Sequence, residues 1–217
     1  MLEFRNIRFS WEGDWLLDGV DAVLEPGQVV WLSGENGSGK STLLKLASAM
    51  IPHFHRGERM EGQVLLWGRP TDEHPPKTFF PELAYIPSRN LPFYFLGETL
   101  SEEIHLTEAM VGGGQALAVR RKLLDQFWPG WMDGADRRLD TLPQDQIIQH
   151  LMAMLVLQGA RLFLLDEPFR SADDETLSRW DRLLKALAQE GCAVLASAHG
   201  TVPGTTHRWH LDNGRLA

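Results

Sequence analysis

The sequence predicts an α/β protein built around a parallel sheet, and three observations support that prediction. The first 33 residues contain short apolar segments separated by turns, which indicates N-terminal β-structure. Farther along the chain, apolar strands alternate with segments of helical periodicity, an order typical of a parallel sheet covered by helices. The segment from Thr99 to about His150 is mainly polar and helical, which predicts a helical insertion over 88–150 in that framework.

The N-terminal strands are bounded by turns that the residue types explain. Strand-like residues 2–9 are separated from residues 15–17 by a glycine-containing turn at 12–14. A second turn is predicted at Glu25-Pro26-Gly27, because proline fixes φ and glycine permits a positive φ. The short apolar strand 28–33 follows that turn directly.

The later elements are predicted from residue composition and from the spacing of apolar residues. A glycine-rich loop leads into a helix over 41–50, and a loop rich in proline, glycine and histidine covers 51–62. A linker with four prolines covers 69–82. Leucines and Trp180 lie on one face of a helix predicted over 176–189. Further strands are predicted over 63–67, 83–86, 162–165 and 193–197.

Composition excludes several classes of protein. In a chain of 217 residues, 43% hydrophobic and 23% charged residues are typical of a globular domain and exclude disorder. The longest apolar run, Leu151–Leu157, is far shorter than the roughly 20 residues of a membrane-spanning helix. The N-terminus has no signal-peptide pattern, and the single cysteine, Cys192, excludes a disulfide framework. A net charge of −8 argues against generic nucleic-acid binding, so we expect a cytoplasmic protein without a nucleic-acid partner.

One motif carries the clearest chemistry. Residues 34–41 read GENGSGKS and fit the pattern G-x-x-x-x-G-K-[ST] in full. Glycines let successive backbone N–H groups curve around phosphate oxygens, and the helix that follows points its N-terminal dipole at the same anion. Lys40 is predicted to reach the β- and γ-phosphates, and the Ser41 hydroxyl to ligate Mg²⁺. An ordinary glycine-rich turn is the alternative, which the preceding strand and following helix disfavour.

A second motif ends the apolar strand 162–165 with two carboxylates. Asp166 is predicted to orient Mg²⁺ through water, as P-loop enzymes require. Glu167 lies one residue farther along, where it can accept a proton from an attacking water. A strand capped by solvated charge is the alternative, and the motif at Gly34 favours the functional interpretation.

With these motifs, nearly the whole chain resembles the ATP-binding subunits of ABC transporters. The Walker A wording is GENGSGKST at 34–42, and the Walker B wording with a catalytic glutamate is LFLLDEP at 162–168. Residues 196–199 resemble the strand that carries the switch histidine, His199. Trp11 occupies the place of the aromatic residue that stacks on adenine, and Asp173 agrees with the D-loop.

This resemblance implies a fold and a set of partners. It implies a single ATP-binding domain over 1–217, with a P-loop NTPase core made of a mixed sheet and flanking helices. An antiparallel β subdomain lies near the N-terminus, and the core and β subdomain together cover 1–87 and 151–217. A helical subdomain covers 88–150. In such proteins two domains sandwich two ATP molecules and drive transmembrane subunits, so a second ATP-binding subunit and a peripheral place on the cytoplasmic membrane face are expected.

The resemblance also implies roles for individual residues, with ATP and Mg²⁺ as the cofactors. Catalysis is assigned to Glu167, His199 at the γ-phosphate, and Lys40. Mg²⁺ is assigned to Ser41 and Asp166. The nucleotide is assigned to Trp11, Asn36, Gly37, Ser38, Gly39, Lys40, Ser41, Thr42 and Ser88.

The chain departs from the family pattern at two places. The signature motif LSGGQ should place its glutamine 20 residues before Asp166, and Gln146 is there, but residues 142–146 read LPQDQ. The serine and glycine donors to a partner's ATP are therefore lost, and Asp145 adds a negative charge. The glutamine of the Q-loop is replaced by Ser88, which is too short to bridge Mg²⁺ and a transmembrane partner unless a water substitutes.

Three interpretations remain open at this stage. The first is the ATP-hydrolysing subunit of a transporter, and residues 51–58 with 62–64 resemble the energy-coupling-factor branch that powers uptake. The second is a nucleotide-binding regulatory subunit that hydrolyses little and forms the degenerate half of a heterodimer. A soluble ATPase of DNA repair or translation is the third, but its long insertions or tandem domains are absent from this sequence. Phe93–Leu96 is a candidate contact with a membrane partner, whereas Trp128 and Trp131 favour a subdomain core.

Overall fold

Two sheets form the framework of the protein, which a computed structural model describes over residues 1–89, 95–112 and 114–217. The candidate contact residues Phe93 and Tyr94 therefore lie outside the described residues. The strands are β1 (Leu2–Ser10), β2 (Leu17–Leu24), β3 (Val29–Ser33), β4 (Arg59–Leu66), β5 (Arg69–Pro70), β6 (Leu83–Ile86), β7 (Leu162–Asp166), β8 (Ala193–Ser197), β9 (His207–Asp212) and β10 (Arg215–Leu216). The α-helices are α1 (Lys40–Ala47), α2 (Met50–His53), α3 (Leu100–Val111), α4 (Gln115–Phe127), α5 (Gln144–Gln158) and α6 (Asp174–Gln189).

The N-terminal sheet has the strand order β2-β1-β4-β5 and is antiparallel, which confirms the antiparallel β-structure. Its central strand, β1, buries Leu2, Phe4, Ile7 and Phe9. Buried apolar residues along β1 are two positions apart except between Phe4 and Ile7, which are three apart. The pairing of β1 with β2 shifts register at that point. Such a bulge inserts an extra residue and returns the next apolar side chain to the buried face.

The larger sheet has the order β10-β9-β3-β8-β7-β6, in which only β10 is antiparallel, so the expected mixed sheet is confirmed. Every residue of β7 and β8 is buried, as expected of parallel strands that are covered on both faces. Because neighbouring parallel strands end at the same edge, the loop after β3 lies beside Asp166 and Ser197. The functional residues are brought together at this edge.

Several boundaries differ from those predicted, and two of the differences have a clear structural cause. Helix α1 ends at Ala47 instead of Met50, because Ala49 adopts a left-handed backbone with φ of 57°. Strand β4 begins at Arg59, within the predicted loop 51–62, because it pairs with β1 as far as Ser10. The predicted strands 83–86 and 193–197 agree with β6 and β8.

Helices α3, α4 and α5 occupy much of the predicted helical insertion. Helix α3 begins with a capping box, in which Thr99 and Glu102 each bond the other's backbone N–H. Trp128 and Trp131 are buried, and the Trp128 ring meets Trp180 of α6 edge to face at 4.7 Å. The aromatic cluster is therefore part of the core. Among the described residues, no helix combines the length and apolar character needed to cross a bilayer.

Candidate nucleotide-binding site

A cavity of about 720 Å³ opens at the carboxyl edge of the larger sheet. Residues from the ends of several strands face it, and these include six of the predicted site residues: Asn36, Ser41, Ser88, Asp166, Glu167 and His199. Open parallel sheets bind ligands at this edge, where loops from adjacent strands surround a crevice. The position and volume suit a nucleotide.

The loop between β3 and α1 has the form needed to surround phosphates. Gly34 has φ of 147°, and a Cβ there would lie 2.3 Å from the carbonyl oxygen of Leu211, so only glycine fits. Helix α1 has no side-chain cap and no acidic residue in its first turn. Its positive dipole end is therefore available to an anion. The Ser38 hydroxyl oxygen is buried without a hydrogen-bond partner among the described residues, which also fits a site shaped for a polar ligand.

Lys40 is held inside this loop. Its side chain donates to the carbonyl oxygens of Gly34 at 2.8 Å and Glu35 at 2.7 Å, and only 6% of the residue is exposed. Burial lowers the pKa of Lys40, whereas the carboxylates of Glu167 and Asp166 act in the opposite direction and raise it. The ammonium is thus a desolvated cation close to the proposed phosphates, as a strong electrostatic contact requires.

Asp166 is the centre of a cluster of hydroxyl groups. It is 3% exposed, and its Oδ1 accepts from Ser41 Oγ at 3.1 Å and from Ser197 Oγ at 2.8 Å. Its Oδ2 accepts from Ser88 Oγ at 3.2 Å. A carboxylate beside a hydroxyl offers the hard oxygen ligands that Mg²⁺ prefers, so Ser41 and Asp166 fit the predicted metal.

Glu167 has a constrained backbone, and its carboxylate lies beside His199 and Arg170. Its φ of 53° lies in the left-handed region, which a non-glycine residue adopts only when its surroundings hold it there. The Glu167 N–H donates to the hydroxyl of Ser197 at 3.0 Å and to the Ser197 carbonyl at 3.2 Å. The carboxylate lies 3.2 Å from His199 Nε2 and 3.8 Å from a guanidinium nitrogen of Arg170. The predicted general base and switch histidine are thus in contact.

Ser197 is a site residue that the sequence analysis did not single out. It is completely buried, and its hydroxyl joins the Asp166 carboxylate to the Glu167 N–H. The available signal was its position two residues before His199 on a short strand. Its role depends on the pairing of β7 with β8, which aligns Asp166 with Ser197.

Trp11 lies beside the loop but does not line the cavity. Its indole N–H donates to the Thr42 hydroxyl at 3.1 Å, and its ring meets Phe9 edge to face at 4.9 Å. The ammonium of Lys45 lies 5.7 Å from the ring centroid, and His55 lies 6.5 Å away. Lys45 and His55 both line the cavity, so Trp11 is one residue removed from its wall.

The altered segment 142–146 forms the start of α5. Leu142 is buried, Pro143 precedes the first helical residue, and no side chain caps the helix. Gln144 Nε2 donates to the carbonyl oxygen of Ser88 at 3.3 Å. The hydroxyl of Ser88 donates to Asp166 Oδ2.

Comparisons with known proteins agree with this geometry. The family model described as "ABC transporter" matches residues 17–170. The xylose/arabinose import ATP-binding protein of Sulfolobus acidocaldarius is 28% identical over 228 residues, which cover 100% of this chain and 86% of that protein. The energy-coupling factor transporter ATP-binding protein of Thermotoga maritima is 24% identical, covering 99% and 80%. The chain spans 36% to 39% of several longer relatives. A solved ATP-binding subunit of an ABC transporter matches with a TM-score of 0.80 and 24% identity, over 100% of this chain and 88% of that one.

Proposed function

The chain belongs to the ABC transporter family, whose ATP-binding cassettes are ATPases coupled to transport, and on that premise we propose that it hydrolyses ATP to power a membrane transporter. The observation that carries the proposal is the meeting of Ser41, Asp166, Glu167 and His199 around one cavity. We also propose that 1–217 is a single ATP-binding domain, with 88–150 as its helical subdomain.

Each residue of the site has a distinct role in this proposal. Lys40 and the backbone amides of 36–42 hold the phosphates, and the ring of Trp11, whose indole N–H bonds Thr42, stacks on adenine. Ser41 and Asp166 hold Mg²⁺, which when bound neutralises charge on the phosphate oxygens. Glu167 accepts a proton from the attacking water. His199 stabilises the γ-phosphate while it holds the Glu167 carboxylate in place.

The altered segment 142–146 leads to a proposal about the partner. In two identical chains each ATP would face LPQDQ, which has no serine hydroxyl and carries the Asp145 carboxylate. Loss of one hydrogen bond to a charged group in a desolvated site weakens closure by roughly 1.5–3 kcal/mol. That loss corresponds to about one to two decades in equilibrium population. We therefore propose an asymmetric heterodimer, in which a partner with an intact LSGGQ completes the site built on Lys40, Asp166, Glu167 and His199.

The transport partners are proposed from the relatives. The relative from Sulfolobus acidocaldarius is named for import, and residues 51–58 with 62–64 resemble the energy-coupling-factor branch, so uptake is the proposed direction. The chain is then a peripheral subunit on the cytoplasmic face, joined to transmembrane subunits. The second ATP site, which faces the altered segment, binds ATP and turns over slowly.

A regulatory subunit with little hydrolysis is the second candidate. The observation in its favour is the altered segment at the start of α5, where neither glycine nor serine remains. The two candidates differ in what happens when an intact partner is supplied. A hydrolytic subunit gains turnover that depends on its own Glu167, whereas a regulatory subunit does not.

Purification from membranes followed by an ATPase assay tests the proposal. The associated subunits are identified, and the chain is then assayed alone and with a co-purified second ATP-binding subunit. Near-zero turnover alone and restored turnover in the mixture support the proposal. Turnover of several per second for the chain alone, rising with protein concentration, would show that the homodimer is competent.

A further inference from the structure

The two departures of this chain from the family pattern lie in contact with each other. Gln144 of the altered segment donates to the Ser88 carbonyl at 3.3 Å, and the Ser88 hydroxyl donates to Asp166 Oδ2 at 3.2 Å. We propose that Gln144 is a positioning residue that acts within its own subunit, through Ser88, on the carboxylate that holds Mg²⁺. This inference rests on the proposed function.

The fold brings Gln144, Ser88 and Asp166 together so that each contacts the next. Ser88 follows β6 by two residues, and β6 is the parallel neighbour of β7, which ends at Asp166. Gln144 is the first residue of α5, a helix that packs against β6. Buried Leu142 anchors the chain just before that helix. The start of α5 is therefore joined to the metal-binding edge by two side chains and one backbone carbonyl.

Ser88 has a particular effect on Asp166. The hydroxyls of Ser41 and Ser197 both bond Oδ1, whereas Ser88 is the donor to Oδ2 among the residues the structure describes. A carboxylate held at both oxygens cannot rotate about its Cβ–Cγ bond without breaking a hydrogen bond. Groups that orient a metal ligand in this way commonly change metal affinity by about 10–100-fold when removed.

The glutamine at position 144 gives the altered segment a contact within its own subunit that a glycine there could not make. Glycine has no side chain, so at position 144 it would leave Ser88 without this donor. The glutamine amide instead fixes the Ser88 backbone from within the subunit. The substitution that removes donors from a partner's ATP site thus adds one to the chain's own metal site.

Magnesium-dependent nucleotide binding tests this link. Calorimetry on the full chain gives the Kd for ATP with Mg²⁺ and with EDTA, for the wild type, Ser88→Ala, Gln144→Ala and the double variant. We expect Ser88→Ala to weaken Mg²⁺–ATP binding about 10-fold and Gln144→Ala about 3-fold. The double variant should equal Ser88→Ala alone, because both changes break one series of bonds. Binding in EDTA should stay within 2-fold throughout.

Controls separate this role from general damage to the fold. Gln149→Ala, on the same helix, should bind Mg²⁺–ATP as the wild type does, and Ser88→Thr should restore affinity because it keeps a hydroxyl. Wild-type affinity in Gln144→Ala, multiplicative losses in the double variant, or an equal loss in EDTA would each overturn the inference. A wild-type chain that binds no ATP would overturn the proposed function itself, and the inference with it.

Discussion

The carboxyl edge of the larger sheet, which is proposed to bind phosphates, and the start of α5 differ in how deeply their polar groups are buried. At the edge, Lys40 and Asp166 are nearly completely buried, and the charged groups of both side chains have hydrogen-bond partners. At the start of α5, Gln144 is exposed and no side chain caps the helix. The two motifs at the edge, 34–42 and 162–168, keep the wording of the family, whereas residues 142–146, proposed to cover a partner's nucleotide, and Ser88 depart from it.

The fold explains why the second region can vary. Pro143 suits the end of a helix, because its missing N–H has no helical partner there in any case. Pro143 and Gln144 are exposed, so we expect substitutions there to leave the buried Leu142 and the buried residues of α5 in place. In contrast, a change at Asp166 would leave several hydroxyl donors without an acceptor in a buried site. We expect that change to be destabilising as well as inactivating.

The largest expected effect is the loss of ATP affinity when Lys40 is replaced. Lys40→Ala removes the cation buried in the loop, and we expect ATP affinity to fall about 100-fold or more, because charge-assisted bonds to phosphate are lost. Calorimetric titration of the purified chain with ATP measures this. The control is Lys185→Ala, which removes an exposed lysine paired with Asp181 on α6. Unchanged affinity in Lys40→Ala would contradict the assignment of the loop.

Glu167→Gln separates binding from chemistry. The amide keeps the size of the side chain but cannot accept a proton from water, so turnover of the complete transporter should fall about 100-fold or more. ATP affinity should change little, and single-turnover assays beside calorimetry measure both quantities. Glu175→Gln, on the exposed start of α6, is the matched control. Normal turnover in Glu167→Gln would show that another group acts as the base.

Ser197→Ala tests how far the edge depends on a buried hydroxyl. The change leaves Asp166 with one donor fewer and the Glu167 N–H with only the Ser197 carbonyl. We expect a loss of about 1–3 kcal/mol in the free energy of unfolding. Turnover should also fall about 10-fold, because the Glu167 carboxylate is held less rigidly in position. Urea unfolding and turnover assays, with the exposed Ser178→Ala as control, measure these effects. A variant with wild-type turnover would assign Ser197 a purely structural role.

The smallest expected effect is the contribution of His150, on α5, to the pH dependence of the free energy of unfolding. Burial lowers the pKa of His150 below its ordinary value of 6.5. The unfolded chain therefore binds a proton that the folded chain resists. His150 contributes its full stability above pH 6.5, and that contribution is lost as pH falls toward its folded pKa.

Unfolding experiments at pH 7.5 and pH 5.5 measure this dependence. The free energy of unfolding should fall less between these pH values in His150→Leu than in the wild type. His105→Leu, at an exposed position on α3, should keep the wild-type dependence. Identical pH dependence in His150→Leu and the wild type would contradict the assignment.

The sequence predicted the structure at the carboxyl edge of the larger sheet well where the signal was local. The loop 34–41 combines a complete motif with a strand before it and a helix after it, so the positions of Lys40 and Ser41 followed directly. Asp166 and Glu167 follow a short apolar run that the sequence predicted as a buried strand, and the structure confirms that strand as β7. Their meeting at one edge follows from the rule that parallel strands end together.

The features that escaped prediction depend on pairing between distant strands. Strand β4 passes through Gly62, which suggests a loop in the sequence. In the fold, a Cβ at Gly62 would lie 2.3 Å from the Asn6 carbonyl, so the glycine marks a bulge where β1 and β4 approach closely. The role of Ser197 likewise requires the register that aligns it with Asp166.

The most direct measurement of the central claim is the turnover of a restored chain. Replacing Pro143→Ser, Gln144→Gly and Asp145→Gly creates LSGGQ, and ATPase activity is measured against protein concentration at saturating ATP and Mg²⁺. We predict near-zero turnover for the wild-type chain alone. The restored chain should show at least about 10-fold higher turnover that rises with concentration and disappears when Glu167→Gln is added. Equal turnover in the wild-type and restored chains would contradict the account.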